Sequence, residues 1–98
     1  MKVLWTESAL GQLQAIYDYL AQTSPQYALR IVDRLTSRSI QIAMFPFSGR
    51  MVPEYELNEV REVIEGPYRI IYLIESEQQQ IEVLAVIHSS REQLRPLG

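Results

Sequence analysis

The hydrophobic period of the chain changes near Arg61, and this change constrains the fold more than any other feature. Before Arg61, apolar residues recur at helical spacing, which predicts two amphipathic helices. These residues are Leu10, Leu13, Ile16, Tyr17 and Leu20 in the first stripe, and Ala28, Ile31, Val32, Leu35 and Ile42 in the second. After Arg61 the runs are shorter and follow a period of two, which predicts strands.

Capping residues mark the start of both predicted helices. Thr6 is a favourable N-cap, and the negative charge of Glu7 in the first turn suits the helix dipole. Ser24 can cap the second helix, with Pro25 at its first position. We therefore expect a helical hairpin with a tight connection.

The predicted strands cover residues 2–5, 61–65, 68–75 and 81–88. The last three have short connections and should form an antiparallel meander. The first must join the same sheet, because an isolated strand cannot satisfy its backbone groups. The proline- and glycine-containing stretch 45–55 predicts an ordered loop. The expected fold is an α+β two-layer sandwich of N-terminal strand, helical hairpin and three-stranded meander, with helices on one face of a four-stranded sheet and the other face partly open.

Composition narrows the function classes. The 98 residues predict a single domain spanning 1–98, and no apolar run reaches the roughly 18 residues of a membrane span. With no cysteine and one histidine, the sequence predicts no zinc site, and it contains no glycine-rich phosphate loop, so no metal or cofactor is expected. The lack of cysteine suits the cytoplasm, and a net charge of −3 disfavours general attraction to nucleic acid.

Candidate chemistry centres on His88, the only histidine. Strict alternation places it on one face of the last strand with Glu82, Leu84 and Val86. If Arg69 shares that face, a cluster with Arg61 and Arg91 could cleave RNA, with histidine as acid or base and arginines holding phosphate.

A structural interpretation of the same residues stays open. His88 would then end a strand, and the arginines would pair with nearby glutamates, as surface ion pairs commonly do. Five of the twelve acidic residues lie between Glu54 and Glu65.

Three segments resemble the ParE/RelE superfamily of bacterial toxins: "WTESALGQLQAIYDYL", "FPFSGRMVPEYELNEVREVIEGPYRIIYLIE" and "IEVLAVIHSSR". The resemblance extends from Val3 to Arg91. It is carried by an ordered set of residues: Pro46, Gly49-Arg50, Arg61-Glu62, Tyr68-Arg69, and His88 before Arg91. The fold that the family implies agrees with the order of elements predicted above.

The resemblance implies the toxin of a type II toxin–antitoxin system, with growth inhibition and plasmid stabilisation. ParE-like members are associated with inhibition of DNA gyrase, and RelE-like members cleave mRNA on the ribosome with a basic cluster. The sequence is more similar to ParE, because its only lysine is Lys2, its last tyrosine is Tyr72 and its net charge is acidic. The catalytic candidates Arg61, Arg69, His88 and Arg91 leave the nuclease alternative, and so the question of enzymatic activity, open.

The family also implies an antitoxin encoded beside the toxin, with a disordered segment that folds on it. That segment is expected on the helical hairpin or the open sheet face, where the acidic stretch 54–65 would favour basic side chains. A toxin–antitoxin hetero-oligomer is allowed, and Arg50, Arg91 and Arg95 are candidate contacts with the target or a partner. A third interpretation is an inactive relative that serves as an interaction protein.

Overall fold

A computed structural model describes residues 1–90 and Leu94 of the chain. The elements are β1 Lys2–Trp5, α1 Glu7–Ala21, α2 Pro25–Met44, a 3-10 turn Pro46–Ser48, β2 Arg50–Met51, β3 Val60–Glu65, β4 Tyr68–Glu75 and β5 Gln80–His88. Both predicted caps form, because the hydroxyl of Thr6 accepts from the N–H of Ala9 at 3.1 Å and that of Ser24 from Tyr27 at 3.2 Å. No helix within the described residues combines the length and apolar character needed to cross a membrane.

Within the described residues, the strands form one five-stranded sheet in the order β1-β5-β4-β3-β2. The predicted meander of β3, β4 and β5 is confirmed, and β1 joins it parallel to β5. The sheet has one strand more than the four expected, because Arg50 and Met51 in the predicted loop pair with β3. Two residues are too few to leave a period-two signal, so the sequence did not reveal β2.

The main hydrophobic core lies between the helical hairpin and one face of the sheet. The helices contribute Ala9, Leu13, Ile16, Ile31, Leu35 and Ile42. The strands contribute Val63, Tyr68, Ile70, Tyr72, Ile74, Ile81, Val83 and Val86. This arrangement confirms the α+β two-layer fold and the alternation predicted for β4.

A β-bulge changes the alternation of β5. Ile71 of β4 pairs with Ala85, whereas the next residue, Tyr72, pairs with Val83, so Leu84 is an extra residue. The strict period of two predicted for this strand is therefore wrong beyond Leu84.

The bulge redirects the C-terminal half of β5. Val86 joins the core on the helix side, while Ala85 and Ile87 join apolar residues on the opposite face. The backbone N–H of Val86 donates to Oε1 of Gln12 on α1 at 2.9 Å, so a helix side chain supports the irregular part of the strand. This contact joins residues 74 positions apart and has no signature in the local sequence.

The sheet face opposite the helices carries a second, smaller apolar cluster. Its buried members are Val52, Val60, Ile71 and Ile87, and Tyr55 and Leu94 are among the residues that pack against them. The segment 52–59, which follows β2, therefore covers part of the face that was expected to be open.

Gly49 lies where the turn before β2 meets the sheet, and the site has no room for a side chain. The Tyr72 hydroxyl donates to the carbonyl oxygen of Pro46 at 2.6 Å, which holds the turn on the sheet. A Cβ atom on Gly49 would lie 2.5 Å from that hydroxyl oxygen and 2.6 Å from the carbonyl oxygen of Glu62.

We predict that Gly49→Ala lowers the free energy of unfolding by about 1–3 kcal/mol, because the turn must move away from the sheet. Urea denaturation measures this. Gly11→Ala is the matched control, since no atom lies within 4 Å of its added Cβ. In a helix this change should stabilise by about 0.5–1 kcal/mol. Equal stability changes in the two variants would contradict the assignment of Gly49 as a close-packing position.

Candidate functional site

The predicted site residues lie on both faces of the sheet. Arg69 is in β4 on the face opposite the helices, whereas His88 is on the helix-covered face because of the bulge. Arg61 shares the face of His88, but the strand register separates the two by about 16 Å between Cα positions. Arg69 and His88 therefore do not share a face of the sheet, although the predicted RNA-cleaving cluster required it. Arg91 and Arg95 lie outside the described residues.

Arg69 is held by two carboxylates. Its Nε donates to Oε1 of Glu62 at 2.6 Å, and its two terminal nitrogens donate to the two oxygens of Glu54 at 2.8 and 2.9 Å. The second contact is the bidentate geometry that guanidinium and carboxylate groups favour. All three nitrogens of Arg69 therefore contact carboxylates of the same chain.

Glu62 is the buried centre of this arrangement, with 1% of its surface exposed. Its second oxygen accepts from Nε of Arg50 at 2.6 Å, because β2 places Arg50 directly opposite Glu62. A carboxylate out of water is tolerated only when opposite charges and hydrogen bonds compensate its lost hydration. We name this series of contacts, Arg50–Glu62–Arg69–Glu54, the ion chain.

The ion chain fastens the segment 52–59 to the sheet through Glu54. Its hydrogen bonds with Arg69 lower the pKa of the Glu54 carboxyl from 4.5 to about 2. The same pairing raises the pKa of Arg69, so both groups are charged at neutral pH. The segment also places Val52 and Tyr55 on the second apolar cluster, so ionic and apolar contacts hold it together.

Arg61 performs a different structural task at the sheet edge. Its Nε and one terminal nitrogen donate to the backbone and side-chain oxygens of Asn58 at 2.9 and 2.6 Å. The other terminal nitrogen donates to the carbonyl oxygens of Gly49 and Phe47 at 3.1 and 3.3 Å. Its guanidinium carbon also lies 5.1 Å from the ring centroid of Phe47. Arg61 thus joins the turn before β2 to the start of β3.

His88 is the last residue of β5, as the strand prediction placed it. Its ring meets Tyr68 edge-on at a centroid distance of 5.5 Å. Its Nδ1 accepts from the backbone N–H of Ser90 at 3.3 Å and lies 3.0 Å from the Ser90 hydroxyl. These contacts support the interpretation of His88 as a strand-ending residue.

The acidic stretch 54–65 presents less unpaired negative charge to a partner than its sequence suggested. Glu54 and Glu62 belong to the ion chain, and Glu65 pairs with Arg38 of α2 at 3.1 Å. Charge already neutralised within the chain attracts basic partner side chains only weakly, which reduces the expected electrostatic contribution of this stretch.

Sequence reasoning did not identify Glu54 and Glu62 as partners of specific arginines. One signal was available: Glu62 lies between Val60 and Ile64 on the same strand face, where an apolar residue is usual. A charge at such a position requires a partner of opposite sign. As for metals, no group of three His, Cys, Asp or Glu side chains converges among residues 1–90 and Leu94.

Comparison with known proteins identifies the family. The sequence model of the family described as "ParE toxin of type II toxin-antitoxin system, parDE" matches residues 3–93. The chain belongs to the ParE toxin family. The resemblance inferred from the sequence motifs is thereby confirmed at the level of a type II toxin of the ParE/RelE superfamily.

Individual ParE/RelE relatives match over most of the chain. "Toxin RelE2" of Caulobacter vibrioides is 33% identical over 90 residues, which are 92% of this chain and 97% of that protein. "Putative toxin Y4kP" of Sinorhizobium fredii is 30% identical over 93 residues, with 93% of this chain and 91% of that protein covered.

Two solved structures share the fold. A chain of the structure titled "Chromosomal ParDE TA system from P. aeruginosa" superposes with a TM-score of 0.73 at 25% identity, covering 90% of this chain and 95% of that one. A chain of the toxin–antitoxin complex RelBE2 from Mycobacterium tuberculosis superposes with a TM-score of 0.65 at 22% identity, covering 89% and 95%. The second comparison supports the fold alone.

The ion pair between Glu54 and Arg69 predicts a specific dependence of stability on pH. Glu54 has a lowered pKa in the folded protein, so its stabilisation is complete above its ordinary pKa of 4.5 and is lost as the pH falls toward about 2. We expect Glu54→Gln to be less stable than the unmodified protein at pH 7 and equally stable near pH 2, as measured by urea denaturation across this range.

Glu56→Gln is the control, because Glu56 is an exposed residue of the same segment. It should change the stability little at either pH. A stability difference for Glu54→Gln that stays constant from pH 7 to pH 2 would show that the ion pair is not its source.

Proposed function

We propose that this ParE-family toxin arrests growth by inhibiting DNA gyrase. It acts as a binding module that traps the cleaved-DNA state of the enzyme by contact, without chemistry of its own. Residues 1–98 act as a single toxin domain in the cytoplasm, where gyrase and its DNA are found.

The observation that carries this proposal is the state of Arg69. RNA cleavage by a 2′-hydroxyl requires cations free to hold the phosphate and a nearby acid or base. The three nitrogens of Arg69 are instead occupied by Glu62 and Glu54, and His88 lies on the other face of the sheet. A toxin that acts by binding alone does not need these groups to converge.

An antitoxin partner is part of the proposal. The two solved relatives are described as a ParDE toxin–antitoxin system and as the toxin–antitoxin complex RelBE2. By analogy, a small antitoxin encoded beside this toxin binds and neutralises it, folding a disordered segment on its surface and forming a hetero-oligomer.

The alternative is a ribosome-dependent mRNA endonuclease. It is favoured by the relative named "Toxin RelE2", which is 33% identical. In that case Arg61, Arg69, His88 and Arg91 would carry the reaction, and the ion chain would have to open to release Arg69. Arg69 and His88 would be dispensable for gyrase poisoning except through their effect on folding.

Purified protein added to gyrase and supercoiled plasmid DNA should cause covalently cleaved DNA complexes to accumulate, as measured on agarose gels after protease treatment. In parallel, mRNA on translating ribosomes should stay intact, as measured by primer extension. Cleavage of mRNA in the ribosomal A site, with no effect on gyrase, would support the nuclease alternative instead. Growth that continues on expression without antitoxin would support an inactive interaction protein.

A further inference from the structure

The two edges of the five-stranded sheet differ in how they are protected. Proteins keep an edge strand from pairing with another chain by shortening it, charging it or covering it. At one edge, β2 has only two residues, and Arg50 in it belongs to the ion chain. At the other edge, β1 has four residues, and after Lys2 its last three are apolar. The edge formed by β1 therefore has the weaker protection against pairing.

The backbone of β1 presents hydrogen-bonding groups at this edge. The N–H groups of Lys2 and Thr6 donate to carbonyl oxygens of β5 at 3.3 and 3.1 Å. Because backbone groups alternate along a strand, the N–H and C=O groups of Val3 and Trp5 point away from β5. Within the part of the chain that the structure describes, no residue forms a hydrogen bond with these outward groups. The edge can therefore accept one more strand.

The side chains of β1 are already held in place. Val3 and Trp5 pack against the main core, and the indole N–H of Trp5 donates to the Ser39 hydroxyl on α2 at 3.0 Å. Leu4 points to the sheet face opposite the helices, where it is 39% exposed. Since the strand is ordered before it meets a partner, pairing costs little additional conformational entropy.

We propose that β1 pairs antiparallel with β1 of a second copy of this chain, about a twofold axis at Leu4. This register places Val3 opposite Trp5 of the second copy, and Trp5 opposite Val3. Each of these two pairs exchanges two hydrogen bonds, as an antiparallel hydrogen-bonded pair does. The register thus satisfies every outward backbone group of Val3 and Trp5 in both copies.

The side chains of β1 are complementary to themselves in the same register. An aromatic residue opposite a β-branched residue, here Trp5 opposite Val3, is a favourable cross-strand pair. Leu4 meets its own counterpart at a non-hydrogen-bonded position, where the Cα atoms lie about 4.5 Å apart. Lys2 falls opposite Thr6, so the two Lys2 residues stay about 14 Å apart along the strands. Like charges therefore do not oppose the pairing.

This self-complementarity is the reason to assign the edge to a second copy. A strand of another protein could use the same backbone groups, but β1 itself supplies matching side chains at each position. The pairing is only a few residues long, so we expect a weak dimer that forms as the concentration rises. The proposal goes beyond the action on gyrase and does not depend on it.

Hydrogen exchange measured by NMR tests the pairing in the unmodified protein. As the protein concentration rises, the amide protons of Val3 and Trp5 should exchange more slowly. The amide proton of Leu4 faces β5 and should be protected at every concentration, which makes it an internal control. Sedimentation equilibrium should show a mass rising from the 11.4 kDa of one chain toward twice that value.

Charge substitutions at the twofold axis test the register. Leu4→Lys should weaken dimerisation about 100-fold, because it brings two like charges together. Leu57→Lys is the control: Leu57 is similarly exposed, at 45%, in the segment 52–59 that follows β2 at the other edge. It should dimerise as the unmodified protein does. Mixing Leu4→Lys with Leu4→Glu should restore the dimer, because opposite charges then meet at the axis.

Three results would overturn the proposal. The first is a monomer at NMR concentrations with fast exchange at Val3 and Trp5. The second is a dimer that Leu4→Lys leaves intact, because its interface would then lie elsewhere. The third is slow exchange at these two amides only after the cognate antitoxin is added, which would assign the edge to an antitoxin strand. If the Leu4 variants do not fold, hydrogen exchange decides, because it needs no substitution.

Discussion

The carboxylate of Glu62, buried between two guanidinium groups, is the interaction on which the sheet edge depends. A charge in this position is stable only with its partners in place, so β2, β3 and β4 must meet in one register. Arg69 extends the contact to Glu54, which brings the segment 52–59 over the second apolar cluster. The buried charge of Glu62 thus connects the β2–β3 and β3–β4 pairings with the position of the segment 52–59, which joins β2 to β3.

This ion chain also determines how the basic residues are interpreted. In the sequence, Arg50, Arg61 and Arg69 form a basic set that suits phosphate binding. In the structure, each guanidinium donates hydrogen bonds to groups of the same chain. Arg69 donates to two carboxylates, Arg50 to one, and Arg61 to backbone and amide oxygens. These internal contacts support the proposal that the protein acts by binding.

The sequence predicted the fold well because its signals are local. Caps at Thr6 and Ser24 and the change of hydrophobic period each act within a few residues. The failures have non-local causes: β2 depends on pairing with a strand ten residues away, and the bulge at Leu84 is supported by Gln12 on a helix. The bulge had the larger effect, since it placed His88 on the helix-covered face. Which arginine pairs with which glutamate likewise depends on strand register, which periodicity does not specify.

The central claim is that Arg69 and Glu62 stabilise the fold and do not act on the target. The most direct test is Glu62→Met/Arg69→Met, because replacing both members of a buried pair by apolar residues is often neutral for stability. Arg50 and Glu54 can turn to water, since their side chains are already 61% and 42% exposed. We predict that the double variant unfolds at a temperature near that of the unmodified protein and still arrests growth when expressed without antitoxin. A variant that folds equally well but no longer arrests growth would contradict the account.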